Sequence, residues 1–134
     1  MSISYELITT VEASTIDELG HVNNAVYLTY IEMAARSHAD SVGLTYPRML
    51  ELGGVFVVRR HEVDYLRSAY AGDELTLKTW IKKSSGSRSY RHVEIRRGND
   101  VIVDALTEWV WIDPLTRLPK RLPREVLDAL PAAL

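Results

Sequence analysis

Hydrophobic residues recur at helical spacing in one long stretch of the chain, residues 25–42. The apolar residues that share one face of this stretch lie three or four positions apart: Leu28, Ile31, Ala35, Ala39 and Val42. Asn23 or Asn24 is suited to cap the start of the helix, and Gly43 is suited to end it. A helix of 18 residues is about 27 Å long, so we predict that it forms the spine of the core.

Five other segments of the chain alternate between apolar and polar positions, as half-buried strands do. One such segment precedes the helix and four follow it: residues 3–11, 55–66, 75–82, 89–97 and 101–112. In the second segment, Val57, Val63 and Tyr65 are predicted to share a face. Residues 44–54 contain a proline and a glycine pair and are predicted to be irregular apart from a short helical turn. Residues 124–130 are predicted to form a short helix.

Turn residues separate the last four segments, which predicts an antiparallel meander. The turns fall at residues 72–73, 84–86 and 98–100. The predicted fold class is α+β, in one domain spanning residues 1–134, with an antiparallel five-stranded sheet and one long helix on a single face. The other face carries Trp80 and Tyr90, and such a sheet with open edges favours association of copies.

Composition and charge narrow the class of protein. Of the 134 residues, 46% are hydrophobic and 25% are charged, which is typical of a globular protein. A net charge of −2 gives no bulk attraction to nucleic acid or to an anionic membrane. The absence of cysteine excludes disulfides, thiol catalysis and thiolate metal sites. We see no signal-peptide pattern and no run of roughly 18 apolar residues, so a cytoplasmic location and no membrane partner are expected.

The polar segment 17–24, DELGHVNN, immediately precedes the helix and lacks any periodicity. Asp17 lies seven residues before Asn24, on a loop that can fold back over the helix start. The first N–H groups of a helix have no acceptor inside it and carry the positive end of its dipole. A carboxylate that faces them can attack or activate water while they polarise a carbonyl. Asp17 is also suited to cap a turn, with no chemical role.

The other polar residues are weaker candidates for catalysis or ligand binding. The four histidines, at positions 21, 38, 61 and 92, lack the spacing of metal ligands, so neither a metal site nor a cofactor is predicted. No Gly-x-Ser-x-Gly motif marks a serine nucleophile. The basic and hydroxyl-rich segment 82–88 suits phosphate oxygens, although a solvated hairpin tip has the same composition.

Residues 17–28, DELGHVNNAVYL, resemble the signature of the hotdog-fold acyl-CoA thioesterases of the 4-hydroxybenzoyl-CoA thioesterase type. That signature has Asp, two residues, Gly, often His-Val-Asn-Asn, and then a Tyr early in the long helix. Segments 63–65, 71–75 and 113–123 also resemble the family, so the likeness covers nearly the whole chain. One departure is Thr15, where many relatives have Asp.

The resemblance implies a hotdog fold, hydrolysis of an acyl-CoA, and a homodimer or homotetramer. By position, Asp17 matches the catalytic carboxylate, as nucleophile or general base. The backbone N–H of Asn24 matches the donor that polarises the thioester carbonyl. His21 and Asn23 are candidate substrate contacts, with a structural histidine and a simple helix cap as the alternatives.

By the same positional match, Ser87 and Arg88 are candidate contacts for the phosphates of CoA. Two other functions stay open at this point. One is a hotdog-fold dehydratase of 3-hydroxyacyl thioesters, in which His21 would be essential. The other is a protein that binds acyl thioesters without turning them over.

Overall fold

Five strands form one antiparallel sheet in the computed structural model, which describes residues 3–133. The strands are β1 (Tyr5–Thr10), β2 (Val55–Tyr65), β3 (Glu74–Ser85), β4 (Arg88–Arg97) and β5 (Asp100–Ile112). The helices are α1 (Asn24–Ser41), α2 (Tyr46–Glu51) and α3 (Arg124–Ala129), with a 3-10 turn at Ala13–Thr15. The spatial order β1-β3-β4-β5-β2 leaves β1 and β2 at the two edges. Strands β3, β4 and β5 form a meander as predicted, but β2 pairs with β5 and not with β3, so the predicted four-strand meander is wrong at its first connection. The turn at residues 72–73 leads into β3 on the far side of the sheet, because β1 takes the place beside β3. The predicted α+β fold class is confirmed.

The long helix α1 begins and ends where its capping residues stand. The side chain of Asn23 accepts a hydrogen bond from the N–H of Ala25 at 3.0 Å, which caps the first turn. Gly43 follows the other end with a φ of +85°, a conformation that glycine adopts without strain. Both ends of α1 therefore lie within one residue of the prediction.

The buried face of α1 differs from the predicted face. Val42 is 39% exposed and Leu28 is only half-buried, whereas Tyr27 and His38 are buried. These polar rings tolerate burial because each has a hydrogen-bond partner. The Tyr27 hydroxyl accepts a bond from a backbone N–H, and Nδ1 of His38 accepts one from Arg91. The spacing of apolar residues along a helix cannot reveal such partners, because they belong to other elements.

Two clusters of buried apolar residues form the core. Burial alternates along β3 and β4, so every second side chain faces the helix. The first cluster joins α1 to the middle of the sheet and includes Ile31, Ala34, Leu77, Val93 and Ile95. The second cluster surrounds the fully buried Trp111 and includes Leu44, Leu122, Val126 and Leu130.

Strand β2 lies at a sheet edge and carries a bulge. Its register with β5 shifts just after Val58, where one extra residue stands on β2. Side chains before and after an inserted residue alternate in opposite phase. Because Val57 precedes the bulge and both Val63 and Tyr65 follow it, the prediction that these three share a face is wrong.

The sheet face away from α1 is polar and aromatic. Trp80 packs against His92 with their ring centroids 4.5 Å apart. The buried carboxylate of Glu108 accepts hydrogen bonds from Arg88 at 2.9 Å and from Tyr90 at 3.3 Å. This face therefore holds the predicted Trp80 and Tyr90. Within residues 3–133, no helix is both long enough and apolar enough to cross a membrane.

Candidate functional site

The segment between β1 and α1 folds into a closed loop with Asp17 near its start. Ile16 and Val22 pair as an isolated antiparallel bridge. The N–H of Asp17 donates to the carbonyl of His21 at 3.0 Å, and the N–H of Gly20 donates to the carbonyl of Asp17 at 3.0 Å. Gly20 takes a φ of +84°, which allows the chain to reverse without strain. The loop therefore holds Asp17 close to His21.

The carboxylate of Asp17 is only partly engaged. Its Oδ1 accepts a hydrogen bond from the N–H of Leu19 at 2.9 Å, so Asp17 does cap a turn. Nδ1 of His21 lies 4.0 Å from the same oxygen and 3.1 Å from the carbonyl oxygen of Val22. Oδ2 of Asp17 makes no hydrogen bond to any described residue, and the side chain is 25% exposed. One carboxylate thus combines a turn cap with an oxygen that is free to act.

The start of α1 presents a free donor. Asn24 is the first residue of α1, so its N–H has no acceptor within the helix, and the rest of residues 3–133 provides none. The Tyr65 hydroxyl donates to the carbonyl of Asn24 at 3.4 Å. A small cavity of about 120 Å³ borders Asn24, Tyr27 and Tyr65. A free N–H at the positive end of a long helix, beside a cavity, is suited to polarise a carbonyl oxygen.

Thr15 anchors the loop to the helix cap. Its carbonyl accepts a hydrogen bond from the N–H of Asn23 at 3.0 Å. Its hydroxyl donates to the carbonyl of Glu12 at 2.7 Å. The residue that departs from the family pattern therefore supports the loop with hydrogen bonds of its own.

A larger cavity of about 510 Å³ lies towards the other end of α1. Its walls are mostly apolar and include Ala35, Ala39, Met49, Phe56, Ile81 and Trp109. Ala39 follows Asn24 by fifteen residues, which is about 22 Å along the helix axis. Within one chain, therefore, the larger cavity and the Asp17 loop lie at opposite ends of α1.

One buried cation borders the larger cavity. Arg91 is 3% exposed, and its Nη1 donates to Nδ1 of His38 at 2.8 Å and to Oγ1 of Thr79 at 3.1 Å. Burial lowers the pKa of Arg91 to about 10, so the side chain stays charged at neutral pH. Burial, and then the charge of Arg91, lower the pKa of His38 to about 4, so His38 is a neutral acceptor at that pH.

The β3-β4 hairpin, which carries Ser87 and Arg88, is distant in space from Asp17 of the same chain. Nη1 of Arg88 pairs with Oε1 of Glu108 at 2.9 Å. The loop around Asp17 is hydrogen-bonded to the connection that precedes β3, which lies at the opposite end of the strands from the hairpin. The ten residues of β4 separate these two ends by about 30 Å. One chain thus brings together Asp17, His21 and the start of α1, but not Ser87 and Arg88.

Comparison with known proteins identifies the family. A family model described as the thioesterase-like superfamily matches residues 11–130. The chain belongs to the thioesterase-like superfamily. The match includes the Asp17 loop, all of α1 and the whole meander. The resemblance carried by residues 17–28 is thereby confirmed.

Relatives of this thioesterase agree on the enzyme class. The chain is 27% identical to the acyl-acyl carrier protein thioesterase ATL3 of Arabidopsis thaliana over 128 residues, which cover 94% of this chain and 67% of that protein. It is 27% identical to the long-chain acyl-CoA thioesterase FadM of Escherichia coli, covering 86% of this chain and 88% of that protein. The chain thus spans about two thirds of the length of the Arabidopsis relatives it matches.

Solved structures confirm the fold. Slr0204, a 1,4-dihydroxy-2-naphthoyl-CoA thioesterase from Synechocystis, superposes with a TM-score of 0.85 at 22% identity, over 95% of both chains. A protein described as a probable thioesterase, from Bartonella henselae, superposes with a TM-score of 0.84 at 27% identity, over 90% of this chain and 99% of that one. Family, relatives and fold together make the protein a hotdog-fold thioester hydrolase, as predicted.

Sequence reasoning missed the buried polar residues of this thioesterase. Arg91 alternates in step with the fully buried Val93 and Ile95 along β4, and this period-two pattern is the signal that places it on the helix-facing side. For His38, the signal is its spacing of seven residues from Ile31, which puts both on one face of α1. Across residues 3–133, no group of three or more acidic or histidine side chains is placed to hold a metal ion.

Proposed function

We propose that this thioesterase hydrolyses acyl-CoA to a free carboxylic acid and CoA, with Asp17 as nucleophile or general base and the N–H of Asn24 as the donor to the carbonyl. The supporting observation is that a carboxylate with a free oxygen and a helix start with a free N–H flank one closed loop. His21 and Asn23, on the same loop, are the proposed substrate contacts. CoA is the proposed carrier because FadM, matched over most of both chains, is an acyl-CoA thioesterase. The proposed location is the cytoplasm, which suits a chain without cysteine.

Both roles of Asp17 lead to the same products. As a nucleophile, a carboxylate oxygen bonds to the thioester carbon, the C–S bond breaks and the thiolate of CoA takes a proton from solvent. Water then cleaves the mixed anhydride and restores the carboxylate. As a general base, Asp17 takes a proton from the water that attacks the same carbon, and the departing sulfur receives a proton. In either route negative charge develops on the carbonyl oxygen, where the N–H of Asn24 stabilises it.

A panel of acyl-CoA and acyl-carrier-protein thioesters tests this function. Release of free thiol, followed with a thiol-reactive dye, should occur with at least one acyl-CoA. Hydration of an enoyl-CoA, measured in parallel, would instead reveal a dehydratase. Tight binding of acyl-CoA with no thiol released would reveal a binding protein without turnover.

We also propose that the protein works as a homodimer or homotetramer paired through β2. This strand of eleven residues lies at a sheet edge, so the backbone groups on its outer side pair with no other strand of the described chain. Its Tyr65 end lies beside Asn24, and its Val55 end borders the larger cavity. Antiparallel pairing with β2 of a second copy would bring the larger cavity and the β3-β4 hairpin of that copy next to the Asp17 loop.

Ultracentrifugation at micromolar concentration should therefore give a dimer or a tetramer. Val57→Lys, on β2, should shift the protein towards the monomer, because a lysine on an edge strand disfavours its pairing with another strand. Val42→Lys is the matched control, since Val42 is also 39% exposed but lies outside β2. A 15.2 kDa species for the unmodified protein would contradict pairing through β2.

In such an oligomer, Ser87 and Arg88 of the second copy are the proposed contacts for CoA phosphates. We expect Arg88→Ala to raise KM for acyl-CoA more than it lowers kcat, because the nucleotide lies far from the bond that breaks and its binding is nearly uniform. The defect should shrink with acyl-pantetheine, which lacks the nucleotide. Glu108 would keep its hydrogen bond from Arg59 at 3.3 Å, and thermal melting should verify that the variant folds. An equal loss with both substrates would rule out a phosphate contact.

A further inference from the structure

Arg91 is a buried positive charge that has no anionic partner among residues 3–133. Desolvation is the sole cause of its lowered pKa, since no described carboxylate is close enough to offset it. Nη1 is occupied by His38 and Thr79, but Nε and Nη2 make no hydrogen bond to any described residue. Burying a charge is costly unless it is paired, so a buried arginine normally has a carboxylate partner. The partner of Arg91 is missing from the described part of the chain.

Arg91 is one of the residues that line the larger cavity. Arg91 and Trp109 are both walls of this cavity, and both are more than nine-tenths buried. The indole N–H of Trp109 is buried with no hydrogen-bond partner among residues 3–133. Asp40 also borders the cavity, but it is exposed and forms no ion pair with Arg91. The larger cavity, which is about 510 Å³ and mostly apolar, therefore has a buried cation in its wall that pairs with no carboxylate among residues 3–133.

The geometry points to an acyl group that ends in a carboxylate: the apolar walls take its methylene chain and Arg91 takes its distal carboxylate, which makes Arg91 a specificity-determining residue. This inference rests on the proposed function, in which the cavity of one copy lies beside the Asp17 loop of the other. Nε and Nη2 form one edge of the guanidinium, and two parallel N–H groups match the two oxygens of a carboxylate. In apolar surroundings such a pair is stronger than it is in water.

Two unreactive thioethers test this inference by calorimetry: S-hexyl-CoA and its ω-carboxy counterpart of equal length. We expect the carboxy compound to bind the wild-type protein about tenfold more tightly or better, as a charge-assisted pair in an apolar site allows. Arg91→Met should abolish the preference, because it keeps the length of the side chain and removes the charge. Arg91→Lys should retain part of it. Arg124→Met removes the same charge from an exposed position at the start of α3, so it should behave like wild type.

The affinity ratio is measured within each variant, so a general loss of stability does not imitate the result. Equal affinities in the wild type, or an unchanged preference in Arg91→Met, would overturn the inference. Turnover of hexanoyl-CoA and adipoyl-CoA separates it from the proposed function. An Arg91-dependent preference with neither ester hydrolysed would support the inference and defeat the proposed function. Hydrolysis of both esters without preference would support the proposed function and overturn the inference.

Discussion

We expect Asp17→Asn to lower kcat for the best acyl-CoA substrate by at least about 10²-fold. Asparagine can neither attack as a carboxylate nor take a proton from water. Its side-chain oxygen can still accept the bond from the N–H of Leu19, so the loop should keep its shape. The N–H of Asn24 is untouched, so some residual activity should survive. Melting temperature and affinity for S-hexyl-CoA should be nearly unchanged.

Glu18→Gln is the control for this experiment. Glu18 is adjacent to Asp17 and loses the same charge, but it is exposed and forms no ion pair with any described residue. We expect a far smaller loss of kcat from this change. If Asp17→Asn is active while Glu18→Gln is not, the role belongs to Glu18. If neither change matters, the mechanism proposed for this loop is wrong.

The second large effect that we expect is a loss of stability when a side chain is added at Gly54. We expect Gly54→Ala to lower the free energy of unfolding by about 3 kcal/mol, at the upper end of the range for overpacked cores. A Cβ at position 54 would stand 2.2 Å from Cε2 and 2.3 Å from Nε1 of Trp111. Trp111 is fully buried and packs edge-on against Phe56 at 5.1 Å, so its ring has little room to move. Thermal melting should show a loss of roughly 10 °C or more.

Two comparisons isolate the contact with the ring. In Gly98→Ala the new Cβ would have no atom within 4 Å, and only the φ of +61° is unfavourable for alanine. This change should therefore lower the free energy of unfolding by about 1 kcal/mol. Trp111→Phe removes the part of the ring that the new methyl group meets, so adding Gly54→Ala to that variant should cost much less than in the wild type. If Gly54→Ala lowers the free energy of unfolding by no more than Gly98→Ala does, the Trp111 ring can move aside at little cost and the prediction is wrong.

The sequence predicts those features of the fold that depend on residues close together in the chain. The ends of α1 follow from Asn23 and Gly43, which act within one turn. The bulge after Val58 leaves no such signal, because it depends on how β2 meets β5. The buried face of α1 is likewise set from outside, by the partners that let Tyr27 and His38 enter the core.

The candidate site divides in the same way. Asp17 and Asn24 are recognisable because their loop is contiguous in sequence and carries the family signature. Arg91 is harder to predict, since an arginine in a strand is normally exposed and its burial depends on a cavity walled by other elements. The separation of Arg88 from Asp17 follows from strand length and topology, and only a second copy would bring them together.

The most direct test of the central claim is hydrolysis of acyl-CoA in water labelled with heavy oxygen, followed by mass spectrometry over many turnovers. The wild-type enzyme should release CoA thiol and carboxylic acid in equal amounts, with one solvent oxygen in each acid molecule. Asp17→Asn should do so at least about 10²-fold more slowly. Acid without the label, or equal rates with aspartate and asparagine at position 17, would contradict hydrolysis by Asp17.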